Sequence, residues 1–158
     1  MIRIELETFI SAPRERCFDL ARSIDLHLVS TDGTNERAVA GVRSGLIGPG
    51  QEVTWIGRHF GARVSHTSRI TQYERPRHFQ DVMIKGKFRT FSHDHYFDDL
   101  PSDSTRMRDV MEFAAPLGHI GLVVEKFVLK RHMLQLLLRR NECIRRTAES
   151  TEWQGFLS

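Results

Sequence analysis

Residues 105–147 read TRMRDVMEFAAPLGHIGLVVEKFVLKRHMLQLLLRRNECIRRT, and their periodicity changes once, at Pro116-Leu117-Gly118. Before that point Thr105, Met107, Asp109, Met111 and Phe113 share one parity against Arg106, Arg108 and Glu112, the alternation of a half-buried strand. After it, apolar residues recur at helical spacing to about Thr147, which predicts a helix on the order of 40 Å long at 1.5 Å per residue. Placed at 100° intervals, Ile120, Val123, Val124, Phe127, Leu134 and Leu138 share one face, while Leu122, Leu129, Met133, Leu136, Leu137 and Ile144 fall largely opposite. The expectation is a long helix that closes a sheet over an apolar pocket, with Ile120 to Phe127 facing the pocket. The more C-terminal leucines are then expected against the first helices or a second copy of the chain in a homodimer.

Working back from this segment, Phe91 to Asp98 forms the partner strand of a hairpin turning near Pro101 to Ser102. Further β-rich segments precede it at Glu52 to Phe60, Ala62 to Tyr73 and His78 to Arg89, with turns near Gly61 and Arg75-Pro76. A short strand near Arg37 to Val42 lies in Gly-rich, turn-rich ground. At the beginning, Ile2, Ile4 and Leu6 alternate with charged residues, predicting a strand from Ile2 to Ile10. Cys17, Phe18, Leu20, Ala21 and Ile24 then recur at helical spacing behind Pro13, and the helix is expected to break in two near Ser23 to Asp25. The fold class is α+β: a curved antiparallel sheet of about seven strands, two short helices after the first strand and one long closing helix. The 158 residues are read as one domain.

Composition excludes several function classes. No apolar run approaches the ~20 residues needed to span a bilayer, and the alternating start lacks the apolar core of a signal peptide, so a cytoplasmic location is expected. Cys17 and Cys143 form no CxxC or CxxH spacing and read as reduced structural thiols. The net charge of +3 comes largely from basic residues spread around the last helix without interleaved aromatics, so nucleic acid is not an expected partner. No glycine-rich stretch links a strand to a helix and no GxSxG elbow is present, so no nucleotide or other cofactor is expected.

The order of strand, helix, six-strand meander and long final helix resembles the helix-grip fold of the START-like, Bet v 1-like superfamily, which includes polyketide cyclases and dehydratases. Trp55 and His59, Arg75-Pro76-Arg77-His78-Phe79-Gln80-Asp81, Gly86-Lys87-Phe88, His93-Asp94-His95-Tyr96-Phe97, Thr105-Arg106-Met107-Arg108-Asp109 and Pro116-Leu117-Gly118 carry the resemblance to an uncharacterised bacterial branch. It implies an apolar or amphipathic small molecule held between sheet and closing helix. It transfers no catalytic residue, because none is shared across the superfamily.

Within the last hairpin, parity turns Phe91, His93, His95 and Phe97 inward together with Met107, Asp109, Met111 and Phe113. The turn position allows a register that places Phe97 opposite Met107, His95 opposite Asp109, His93 opposite Met111 and Phe91 opposite Phe113. Three readings of the inward His93, His95 and Asp109 set stay open: a structural cross-strand pair, a ligand-orienting group, or the acid and base of a cyclase or dehydratase. His93-x-His95 also puts two imidazoles on one strand face. The third metal ligand would have to be Asp109 or come from another strand, and no metal is expected. Trp55, Phe79, Met83 and Phe88 are candidates for apolar lining, as are Ile120, Val123, Val124 and Phe127. His59, His66 and Asp81 stay unassigned, because Gly57, Gly61 and Gly86 are candidate bulges that would change parity.

Overall fold

The computed structural model describes residues 1–115 and 122–158, with backbone only for residues 122–125. The elements are β1 (Ile2–Ile10), α1 (Arg14–Ala21), α2 (Ile24–Ser30), a 3-10 turn (Asp32–Thr34), β2 (Arg37–Gly41), β3 (Glu52–His59), β4 (Ala62–Glu74), β5 (His78–Lys85), β6 (Thr90–Leu100), β7 (Ser104–Ala114), α3 (Leu122–Glu149) and α4 (Gln154–Leu157). The strands form one antiparallel sheet in the order β1-β7-β6-β5-β4-β3-β2. Each meander strand pairs with its predecessor, and β1 closes onto the last strand.

Local chemistry explains the boundaries. The break between α1 and α2 falls at Ser23, whose hydroxyl accepts the Leu26 amide and caps α2. Pro13 sits at the N-cap of α1 and not inside its first turn. Gly41 has φ +72°, and a Cβ there would lie 2.1 Å from the Glu52 carbonyl oxygen, so β2 can end beside β3 only with glycine. At the C-terminus, α3 runs two residues past the expected end, and Trp153, Phe156 and Leu157 around α4 pack back on the core.

Phe18 locks α1 to the sheet. It is fully buried and meets Tyr73, Phe79 and Phe97 edge-on at ring-centroid distances of 5.3–5.4 Å. Tyr73 reaches this cluster because β4 bulges between Ile70 and Gln72, which turns both Ile70 and Tyr73 inward. The second irregularity of this pairing lies beside Thr67/Ser68, where Ile84 of β5 is the extra residue, and neither falls at a glycine: β3 and β4 pair without interruption through Gly57.

Two apolar clusters share the sheet's inner face. One contains Phe18, Phe79, Phe97 and Met107, and the other Phe91, Met111, Phe113 and Leu137. Along β6 and β7 the residues between them are His93, His95 and Asp109, so a polar layer crosses an apolar interior. The 28-residue α3, about 42 Å long at 1.5 Å per residue, packs against β1, α1 and α2.

Candidate functional site

Sheet, first helices and α3 enclose a cavity of about 550 Å³. Its lining is largely apolar, with Trp55, Ile70, Phe79, Phe88, Phe91 and Met111 from the sheet side and Leu129, Met133, Leu136 and Leu137 from α3. The chain has eight histidines, and six of them, His27, His59, His66, His93, His95 and His132, line this one space.

The first polar wall is built around Asp109. The β6–β7 register pairs His95 with Asp109, His93 with Met111, Phe97 with Met107 and Phe91 with Phe113, as alternation requires. Asp109 is fully buried, and its Oδ1 accepts from His93 Nε2 at 2.8 Å and His95 Nδ1 at 3.0 Å. Its Oδ2 accepts from Asn141 Nδ2 of α3 at 2.6 Å, and Arg140 Nη1 stands 3.5 Å from Oδ1. Burial pushes the Asp109 carboxyl up, but the hydrogen bonds and charges of the two histidines outweigh it and hold the group well below the usual range.

Because a carboxylate only accepts, both ring nitrogens that face Asp109 carry hydrogen. His95 Nε2 lies 3.0 Å from Asp81 Oδ2 on β5, and His93 Nδ1 is 4.0 Å from the same oxygen. One ligand atom from each of Asp81, His93 and His95 falls within 4.8 Å of the others, the set most suited to a metal among the described residues. Burial, with the neighbouring His95, lowers the His93 pKa to about 4, against the opposing pull of Asp109 and Asp81. Burial raises the Asp81 carboxyl, but the hydrogen bond from His95 and both histidine charges bring it down to about 2. Phe79 stacks on the His95 ring at 4.2 Å between centroids and fixes its plane.

The second wall is centred on Glu36, which precedes β2. Its carboxylate lies 2.8 Å from His27 Nε2 and 3.4 Å from His59 Nε2, and His59 Nδ1 meets His132 Nε2 of α3 at 3.0 Å. Burial raises the Glu36 pKa, yet the His27 and His59 hydrogen bonds and charges lower it to about 2. Gly57 leaves the room for this side chain: a Cβ there would meet Glu36 Cγ at 2.6 Å. The His27 ring also lies against Trp55, tilted by 35° at 4.2 Å between centroids.

The sequence candidates divide by position. Trp55, Phe79, Phe88, Phe91, His93, His95 and Met111 reach the cavity. Phe97, Met107, Asp109 and Phe113 point inward but are packed behind its wall. Met83 is half-buried against the second apolar cluster and is absent from the lining. Phe127 is 74% exposed and does not face the cavity. Ile120 lies outside the described residues, as do the side chains of Val123 and Val124.

Among the described residues, α3 lines the cavity from Val128 to Arg140, and Leu136 and Leu137 line it where Phe127 does not. Leu129 sits about 200° around the helix from Phe127 at 100° per residue, and the stripe from Leu129 through Met133, Leu136 and Leu137 leads to Asn141 over Asp109. Both stripes are apolar, so hydrophobicity did not choose between them. Asp81, His59 and His66 do line the cavity, and parity held a signal for the first: Phe79, Asp81 and Met83 alternate together on β5. Glu36, His132 and Asn141 carried no such signal, since they come from a turn and from mid-helix.

No family model matches the chain, and no curated protein matches it. Among solved structures it is similar to the Zhui aromatase/cyclase from Streptomyces sp. R1128, with TM-score 0.75 and 14% identity over 94% of this chain and 93% of that one. A START superfamily protein from Mycobacterium smegmatis matches with TM-score 0.69 and 13% identity, covering 92% and 97%. Major latex-like protein 151 from Panax ginseng matches with TM-score 0.65 and 11% identity, covering 94% and 98%. At these identities the likeness concerns the fold. With a seven-stranded antiparallel sheet, two short helices after β1 and a long helix across its inner face, the chain has the helix-grip fold of the START-like, Bet v 1-like proteins.

Proposed function

We propose that the chain binds an apolar or amphipathic small molecule, of lipid, quinone or polyketide-like character, in the cavity beneath α3. The observation that carries this reading is the cavity itself, about 550 Å³ with mostly apolar sides and two histidine–carboxylate walls. A space of that size suits a drug-sized molecule, and a few convergent polar groups in an apolar lining fix the orientation of its polar end. Native mass spectrometry of protein purified from its own cells is the direct test. A retained molecule of a few hundred daltons in one-to-one ratio, displaced by an apolar fluorescent probe, is expected. Failure of every apolar probe to bind the intact protein would refute it.

One observation favours an enzymatic second reading, a cyclase or dehydratase in the same cavity: His95 is held between Asp109 and Asp81 and stacked on Phe79, as an oriented general acid or base would be. His95→Gln separates the two. Lost turnover of a bound substrate with affinity retained identifies the enzyme, whereas lost affinity in a protein that turns nothing over identifies the carrier.

A further inference from the structure

We propose that Asp81, His93 and His95 bind a divalent transition-metal ion, of the zinc or ferrous class, at the cavity wall. Asp109 stands behind both histidines. Asp109 takes a hydrogen from His93 Nε2 and from His95 Nδ1, and its other oxygen is held by Asn141, whose amide also reaches Thr8 Oγ1 at 3.1 Å. With both rear nitrogens committed as donors, His93 Nδ1 and His95 Nε2 are the nitrogens left to face the cavity. They do so beside the Asp81 carboxylate, which is itself only an acceptor. Three potential ligand atoms thus converge, and the His95–Asp81 contact is the one hydrogen bond among them.

A cation resolves that convergence better than an added proton. A proton on His95 Nε2 would satisfy its 3.0 Å contact with Asp81, but His93 Nδ1, 4.0 Å from that carboxylate, would stay beyond hydrogen-bonding distance. A metal satisfies all three at once. Ligand atoms about 2.1 Å from one ion are roughly 3.0 Å apart in an octahedral facial set and roughly 3.4 Å apart in a tetrahedral one. The separations from Asp81 are 3.0 and 4.0 Å and all three ligand atoms lie within 4.8 Å of one another, so closing on one ion asks the side chains to draw together by about 1–2 Å at most.

Metal-binding histidines characteristically donate their remaining N–H to a carboxylate, which fixes tautomer and ring plane and raises basicity. Here one buried carboxylate does this for both rings. The ligands stand on the paired strands β5 and β6, where Asp81 is the cross-strand neighbour of His93, so the backbone holds them in place. Two imidazoles and one carboxylate leave coordination positions open toward the cavity. Those positions suit an oxygen donor on a largely apolar molecule, such as an enolate, phenolate or carboxylate. Only that last step rests on the cavity ligand proposed above; binding of the ion does not.

The test uses the full chain stripped with a chelator and titrated with zinc alone, in competition with a chromophoric chelator, and then with cobalt, whose visible spectrum reports coordination number. One equivalent of zinc is expected. Asp81→Asn should weaken it at least ~100-fold as a lost ligand, and Asp109→Asn about 10–100-fold as a lost positioning group. Asp98→Asn, whose carboxylate pairs with Arg106 away from the cavity, should leave it unchanged. Asp81 is 22% exposed and Asn preserves its size, so this variant should fold even where His93→Gln does not; circular dichroism and a melt verify it. The proposal is overturned if stripped protein takes up no zinc at about 100 μM, where structural and catalytic sites are saturated. It is equally overturned if folded Asp81→Asn binds as tightly as the parent. Loss of zinc binding with apolar-probe binding retained would remove the metal alone, and the converse would remove the cavity reading alone.

Discussion

Replacing Asp109 by Asn is the sharpest test of how the polar layer is held. The fully buried carboxylate accepts hydrogen bonds from His93, His95 and Asn141 at 2.8, 3.0 and 2.6 Å. An Asn of the same shape keeps one acceptor oxygen and turns an amide NH2 toward a donor. In the best case Asn141 flips its own amide to receive it, at the cost of its Oδ1 contact with Arg140. Hydrogen bonds to charged groups are worth about 1.5–3 kcal/mol each, and breaking a buried charged arrangement costs about 3–5 kcal/mol. We expect a loss in that second range, which for a chain of this length lowers the melting temperature by about 6–20 °C. Urea unfolding at pH 7, followed by circular dichroism, measures it against Asp98→Asn, whose pair with Arg106 is near half exposed and worth at most about 1 kcal/mol. If Asp109→Asn cost no more than Asp98→Asn, the carboxylate would not be organising the layer.

Other expectations follow from the same geometry. Glu36 has a folded pKa of about 2 against an ordinary value near 4.3, so its contribution is full above the unfolded value and is lost as pH falls toward the folded one. The stability advantage of the parent over Glu36→Gln should therefore shrink between about pH 5 and pH 2 in urea titrations, and an advantage constant across that window would contradict the assignment. Leu137 is buried at the cavity and Phe127 exposed, so Leu137→Ala should cost about 2–5 kcal/mol and alter apolar-probe affinity, while Phe127→Ala should change stability by less than about 0.5 kcal/mol. Equal effects would return Phe127 to the cavity face. Phe18→Ala should cost about 3–5 kcal/mol by undocking α1, read from the same unfolding curves, and a loss below about 1 kcal/mol would deny Phe18 that role.

The sequence by itself determined whatever depends on strict alternation and a nearby turn. The period of two along Phe91–Phe97 and Thr105–Phe113, with a turn after Leu100, fixes which residues face inward and which register pairs His95 with Asp109. A one-residue slip would carry Phe97, Met107 and Phe113 into water, so local pattern and burial agree on one answer. The switch at Pro116 likewise placed a long helix after the last strand. Tertiary structure alone decided which apolar stripe of that helix looks inward. Both stripes are hydrophobic, and the inward one leads to Asn141, whose amide donates to Asp109 across the interior. It also decided that Glu36, His132 and Asp81, separated by tens of residues and carried on a turn, a helix and a strand, share one cavity. No period in a single segment encodes such a meeting, because it depends on how α3 and the turn before β2 pack over the sheet, and the β4–β5 irregularities at Thr67/Ser68 and Ile70/Gln72 shift parity where no glycine marks them.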